Sequence, residues 1–258
     1  MSSSLVQHVT EIVYIPLRAG IDIDDDATPE GEALAAAFRI ISAQEGYLGS
    51  YYSRQLELPS ILMWFISEAT PFVVLGTVVP GRNADMNLDW SSHDAHIRFT
   101  HAPVYETFLG EMGKLFAAPP SFHHFLSRPF PPDVLTFAPC TEVATFYGTS
   151  PTFHSNVQRF VNALSDAVPD GFQGTAFGPV LEHIAKPGGS ETEPAVVLCI
   201  GWASKEHHLR FRDESPVFKE NIWLLREGNK GADVVHLALK NVAARITNGS
   251  WGIDRGHT

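Results

Sequence analysis

Apolar and polar positions along this 258-residue chain fall into two series that run in the same order. Val9–Leu17 is rich in β-branched residues and predicts a strand. From Thr28 to Gly46 the apolar residues Leu34, Phe38 and Ile41 recur at helical spacing. Thr28 suits an N-cap, Pro29 the first helical position, and Gly46 the stop. Tyr47–Leu56 and Ile61–Ser67 predict a strand pair with Pro59 in the turn. Ser92–Phe116 predicts a second helix, and Phe122–Leu126 a closing strand. The second series begins with a strand at Thr141–Tyr147. Ser150 is the expected cap of a helix opened by Pro151, with Phe153, Val157, Phe160 and Leu164 on one face. Gly171–Glu182 and Pro194–Trp202 read as a strand pair, Ser204–Arg226 as a helix and Asp233–Leu239 as the last strand. Each series is β-α-β-β-α-β.

The two series also match residue by residue. Trp90, Ser92, His96, Arg98 and Phe99 stand 112 positions before Trp202, Ser204, His208, Arg210 and Phe211, and His124 stands 112 before His236. "EGYLGSYY" (Glu45–Tyr52) matches "DGFQGTAF" (Asp170–Phe177) at an offset of 125, and "TEIVYI" (Thr10–Ile15) matches "TEVATF" (Thr141–Phe146) at 131. Changing offsets are what loop insertions produce. A β-α-β-β-α-β unit makes a four-stranded antiparallel sheet with both helices on one face. The other face must be covered, and two such sheets in one chain can cover each other. The expectation is an α+β protein of two fused ferredoxin-like repeats, 1–133 and 134–258, joined by the proline-rich Ser127–Pro139. The first repeat carries an insertion at 68–89.

Composition narrows the function. The formal net charge is −11 and no Lys/Arg cluster is present, which argues against a nucleic-acid partner. Cys140 and Cys199 lie in separate apolar runs and predict two buried, reduced thiols. The first residues lack the basic and apolar regions of a secretion signal, and no apolar run reaches the roughly 18–20 residues of a membrane span. A cytoplasmic protein without a membrane partner is expected.

The W-x-S-x-x-x-H-x-x-F stretch, at Trp90–Phe99 and again at Trp202–Phe211, resembles the dimeric α+β barrel superfamily. Within it, the chain is similar to antibiotic-biosynthesis-monooxygenase-like and stress-responsive barrel domains, in the tandem form found among fungal proteins. The resemblance implies an intramolecular barrel, acting as a monomeric pseudo-dimer or a homodimer, with a small-molecule substrate. Family members include cofactor-free oxygenases of polyketide quinols, polyketide cyclases, haem degraders and proteins without known chemistry. Haem degraders place a His late in the second helix. Asn221 and Ile222 stand there in this chain, so no cofactor and no metal are expected.

Histidine is the natural acid/base candidate near neutral pH. His96 and His208 lie early in the second helices. On "SFHHFL", His123 and His124 face opposite sides of a strand. In cyclases that the chain resembles, a His and a Tyr facing one cavity serve as acid and base. The expected catalytic set is therefore His96, His124, His123, Tyr14 and Tyr51. Trp90, Tyr52, Phe99, Trp64, His208 and His236 are expected to contact substrate. The bland alternative for each is packing, or a hydrogen bond from helix to sheet. Tyr14, Tyr51 and Tyr52 have Thr145, Ala176 and Phe177 as counterparts, which favours a cavity in the first repeat. The insertion 68–89 reads as a lid, or else as an added edge strand or oligomer contact. "DIDDD" (Asp22–Asp26) lacks the Gly and Glu of a calcium loop, and "HDAH" lacks further ligands for zinc. The expected activity is a cofactor-independent cyclisation, isomerisation or lyase step on an apolar or polyketide-like metabolite. The alternatives are cofactor-free oxygenation, or ligand binding without catalysis.

Overall fold

The computed structural model describes residues 5–72, 99 and 101–249. The first half contains β1 (Leu5–Pro16), α1 (Pro29–Ser42), β2 (Tyr47–Arg54), β3 (Ile61–Phe72), α2 (Val104–Gly113) and β4 (Ser121–Phe125). A short helix, α3 (Val134–Phe137), interrupts the proline-rich connection. The second half contains β5 (Cys140–Tyr147), α4 (Phe153–Ala167), β6 (Phe172–Pro179), the small hairpin β7 (Ile184–Ala185) and β8 (Thr192–Glu193), and β9 (Ala195–Trp202). Three short helices follow: α5 (Lys205–Glu214), α6 (Pro216–Asn221) and α7 (Trp223–Arg226). Then come β10 (Gly231–Leu237), β11 (Lys240–Asn241) and α8 (Val242–Gly249).

The first sheet has the order β11-β2-β3-β1-β4 and the second β10-β5-β9-β6. Their edges meet at both sides. Leu126 N–H donates to Pro179, and Arg128 and Phe177 exchange backbone bonds, which joins β4 to β6. On the other side Leu56 N–H donates to His236, which joins the end of β2 to β10. The strands thus close into a barrel that leaves no bare edge at either seam. Its interior is filled by Ile12, Met63, Phe65, Phe125, Val197 and Cys199, all fully buried. The outer faces are covered by helices: Leu34 and Phe38 of α1 pack on Trp64, and Phe153, Val157 and Leu164 of α4 pack near Leu198 and Trp202. The architecture is α+β, with two ferredoxin-like units.

Local chemistry explains the element boundaries. Thr28 Oγ1 accepts from the Gly31 N–H at 3.0 Å, so α1 starts where its cap was expected. The helix expected from Ser150 starts instead at Phe153, whose N–H donates to the Ser150 carbonyl. The single helix expected over Ser204–Arg226 is three pieces. Ser215 is extended (φ −67°, ψ 128°) because Pro216 crowds the preceding residue out of the helical region. The chain's tail also departs from the expected 134–258 unit. β11 pairs with β2, and Arg245 of α8 donates to Asp26 Oδ1, Tyr52 Oη and the Ile23 carbonyl, all on the first half. β3 runs to Phe72, and the rest of the insertion, with 90–98 and 100, lies outside the described residues. Cys140 and Cys199 are buried free thiols. No described helix is long and apolar enough to cross a membrane.

Candidate active site

In the second half, β5 and β10 set Glu142 opposite His236 on the face turned toward the helices. β9 ends at Trp202, and one turn into α5 the His208 ring stacks on the Trp202 indole, with centroids 5.6 Å apart. His208 Nδ1 lies 2.6 Å from His236 Nε2. His236 Nδ1 lies 2.6 Å from Glu57 Oε1, and the His236 backbone N–H donates to Glu57 Oε2 at 2.9 Å. Lys205 Nζ also donates to Glu57 Oε1, at 2.7 Å. At the other end, His208 Nε2 faces Glu142 Oε2 at 3.5 Å, and Trp202 Nε1–H donates to that same oxygen at 3.0 Å. Glu142, His208 and His236 are all buried.

The direction of this chain follows from what each atom can do. A carboxylate only accepts, so His236 carries its proton on Nδ1. In the neutral ring Nε2 then accepts, and His208 donates from Nδ1. His208 Nε2 is left bare, facing Glu142. Burial, then the neighbouring His236, pulls His208 down to about 4, so the ring is neutral near pH 7. Burial pushes Glu142 up to about 7, against the opposing pull of the Trp202 donor. Burial would also raise Glu57, but the Lys205 ammonium and the two His236 donors outweigh it and hold Glu57 at about 2.

This chain borders a cavity of about 450 Å³ between the sheet and α5–α7. Its walls include Phe160, Leu198, Ile200, Phe218 and Leu225, with Glu142, His208, His236 and Arg212 among its polar groups. Apolar walls with a few convergent polar groups are the usual form of a small-molecule site. Glu142, His208 and His236 each offer a donor atom within 4.8 Å of the others. Two His and one carboxylate can hold a divalent metal. Here, however, the His208 ring lies between the other two residues and shows each a different nitrogen. The 2.6 Å gap between imidazole nitrogens is also shorter than the roughly 3 Å that two ligands of one ion keep. The geometry fits a hydrogen-bonded relay better than a chelate.

The first half repeats part of this arrangement. β1 and β4 set Glu11 opposite His124. His124 donates its backbone N–H to Glu182 Oε2 at 2.9 Å, and its Nδ1 lies 2.6 Å from Glu182 Oε1. Glu182 follows β6 as Glu57 follows β2, so each clasp joins the two halves, in opposite directions. Burial pushes Glu11 up to about 7, and it raises Glu68 as well. Both carboxyls border a cavity of about 210 Å³ with Trp64, Phe99, Tyr105 and Phe122 in its wall.

The residues expected from sequence distribute as follows. His96 and Trp90 lie outside the described residues. His124 sits in the Glu182 clasp, and Trp64 and Phe99 line the first cavity. His208 and His236, expected as substrate contacts, are joined in the relay. His123 and Tyr14 face the barrel interior instead of a cavity, because they alternate with His124 and Glu11 along their strands. Their rings lie 5.5 Å apart, and burial pushes His123 down to about 4. Tyr51 also packs against the interior cluster and shares a hydrogen bond with the Thr136 hydroxyl at 2.7 Å. Tyr52 faces α1 and accepts from Arg245. None of Tyr14, Tyr51 and Tyr52 lines either cavity. Sequence reasoning misses the four carboxylates, although the signal is present. Glu11 and Glu142 share the Thr-Glu match at offset 131, and Glu57 and Glu182 share the offset of 125.

No family model and no curated protein sequence matches the chain. Solved structures do. An anthrone oxidase-like protein aligns with a TM-score of 0.60 at 13% identity, covering 92% of this chain and 94% of its own. A candidate monooxygenase from Fusobacterium nucleatum aligns at 0.53 and 11% identity, covering 91% and 94%. A candidate monooxygenase from Lactobacillus acidophilus aligns at 0.50 and 11%, covering 92% and 94%. The likeness agrees with the α+β barrel of two ferredoxin-like units described above. At such identities the likeness is one of fold, and the chemistry rests on the site.

Proposed function

We propose that this protein is an enzyme that removes a proton from carbon in a small, largely apolar, enolisable metabolite, without a cofactor. Aromatic and polyketide-like compounds are the substrate class. The observation that carries this is the Glu57–His236–His208 relay, which leaves a bare imidazole nitrogen beside a buried carboxyl in an apolar cavity. The substrate's rings lie against Phe160, Leu198 and Phe218, with the acidic C–H toward His208 Nε2. As His208 takes that proton, its Nδ1 proton passes to His236 Nε2. The positive charge then rests on His236, 2.6 Å from Glu57. Glu142, with its proton favoured by burial, donates to the developing enolate oxygen. The enolate closes a ring on a carbonyl of the same molecule, or is reprotonated at another carbon. This is cyclase, isomerase or lyase chemistry.

Oxygenation is the second reading, favoured by the names of the structural neighbours. An activated methylene that loses a proton can react with dioxygen. The methylene carbon becomes a carbonyl carbon and keeps one oxygen atom. The other oxygen atom leaves as water with both methylene hydrogens, and the substrate supplies all the electrons. One experiment separates the readings. The protein is incubated with an anthrone and with an open-chain polyketide mimic while oxygen uptake and product mass are followed. Products of unchanged mass, or lighter by one water, without oxygen uptake support the cyclase-type reading. Stoichiometric oxygen uptake supports oxygenation. Saturable binding with no change in either compound supports a binding protein and overturns the enzymatic proposal.

A further inference from the structure

We infer that Glu57, supplied by the first half, is a positioning residue for the second half's site: it fixes His236 as the Nδ1–H tautomer and so keeps His208 Nε2 bare. The tautomer claim stands on geometry alone, and its catalytic consequence rests on the function proposed above.

Glu57 is held so that it can only accept. One oxygen takes the His236 backbone N–H and the other takes the ring Nδ1–H, so backbone and ring of one residue are gripped together. The neighbouring Leu56 N–H donates to the His236 carbonyl, which fixes the register of the grip. Lys205 Nζ adds a third donor. Glu182 grips His124 in the same way across the opposite seam, and Leu181 N–H donates to the His124 carbonyl. Two occurrences of one clasp, each joining the halves, make an accident of packing a poor explanation. The Glu57 side chain is 33% exposed, whereas His208 and His236 are closed off. Glu57 is therefore the outer end of the relay, where solvent reaches the proton.

The substitution Glu57→Gln tests this because Gln cannot accept at both positions. Its amide NH2 must face one of the two His236 donors. The backbone N–H cannot give up its proton, whereas the part-exposed Lys205 can turn away to solvent. The NH2 therefore faces the ring, which moves its proton to Nε2 and accepts at Nδ1. His236 Nε2–H then faces His208 Nδ1, which must become an acceptor, and the His208 proton moves to Nε2. The base nitrogen is blocked without any change at the cavity wall. Orienting carboxylates of this kind can carry on the order of 10³-fold or more in rate.

The experiment is 15N NMR of histidine-labelled full-length protein, with His208→Asn and His236→Asn used for assignment. In the wild type, at a pH where both rings are neutral, each is expected with Nδ1 protonated and Nε2 bare. In Glu57→Gln both are expected to invert, and in Glu57→Asp the wild-type pattern returns at least in part. Glu182→Gln is expected to move His124 and leave His208 and His236 in place. On a turned-over substrate, Glu57→Gln lowers kcat about 10³-fold with KM within about threefold, and Glu57→Asp restores part of kcat. A wild-type spectrum with Nε2 protonated on His208 overturns the inference. So does a folded Glu57→Gln protein with unchanged tautomers. The expected tautomers in a protein that turns over no enolisable compound would instead count against the proposed function, and leave Glu57's role standing.

Discussion

The two outer cavities share a frame and differ in what fills it. Val13 opposite Trp64 in the first half corresponds to Ala144 opposite Leu198 in the second. Tyr52, also opposite Trp64, corresponds to Phe177 opposite Leu198. Of these, Val13 and Trp64 line the smaller cavity, about 210 Å³, and the smaller Ala144 and Leu198 line the larger, about 450 Å³. The buried carboxyls differ in company too. Glu68 lies opposite Val9 and Tyr47, where Trp202 lies opposite Cys140 and Phe172. Glu142 thus receives an indole N–H, while Glu11 faces a second carboxyl that raises it further. The clasp between halves is kept in both. The scaffold and its His–Glu clasps are common to both halves, whereas the side chains that line the two cavities, on strands and helices alike, differ, and with them volume and polarity.

That contrast can be broken at single residues. The largest effect is expected from His208→Ala, which removes the base and lowers kcat by on the order of 10²–10⁴. Turnover that survives at wild-type rate would move the chemistry out of the second half. Next is Trp64→Leu, which gives the first half the second's residue. It removes a fully buried indole and is expected to cost about 3 kcal/mol, read from denaturant unfolding. A cost under about 1 kcal/mol would mean that the first cavity collapses onto the smaller side chain.

A smaller, pH-dependent effect is expected from Glu142→Gln. Glu142 is raised from 4.5 to about 7, so the folded state holds its proton more tightly than the unfolded one. Its contribution to stability is therefore full below about pH 4.5 and lost as pH rises through about 7. Gln mimics the protonated form and keeps an acceptor for Trp202. The variant should be more stable than wild type by about 2 kcal/mol at pH 8, with little difference at pH 5. Melting curves at the two pH values decide this, and a gain at pH 5 alone would reverse the sign. Glu11→Gln should behave alike, because burial raises Glu11 to about 7 as well. The smallest effect is expected from Leu198→Trp, which copies the first half's residue into the second cavity. Binding of an apolar aromatic ligand should weaken at least tenfold, measured by titration calorimetry, while the His tautomers stay as they are.

Much of the frame is legible in the sequence. The strand at Val9–Leu17, the Thr28 cap and the four apolar positions on α4 all follow from local periodicity and capping. The paired offsets lead to the expectation of two ferredoxin-like units, and the fold has two. The relay is harder to see because its parts come from distant segments. Glu57 stands in a turn, where a lone carboxylate looks like surface, and its partner His236 is 179 residues away. Histidine draws attention as a residue type, which brings out His208 and His236 separately. Only the closed barrel shows that one hydrogen-bonds the other. The hydroxyls of Tyr14 and Tyr51 make them attractive candidates, but strand alternation turns them inward, and no count of residue types fixes which face of a strand is the inner one. The tail beyond Leu239 crosses to the first sheet through Arg245, a long-range anchor that no local pattern reveals.

The most direct test of the central claim is hydrogen–deuterium exchange at the acidic carbon of an enolisable aromatic ketone, followed by NMR in deuterated buffer under nitrogen. It reads proton abstraction alone, whatever step follows. The account predicts exchange catalysed by the wild-type protein and lowered at least about 10²-fold in His208→Ala. Undiminished exchange in His208→Ala would contradict it.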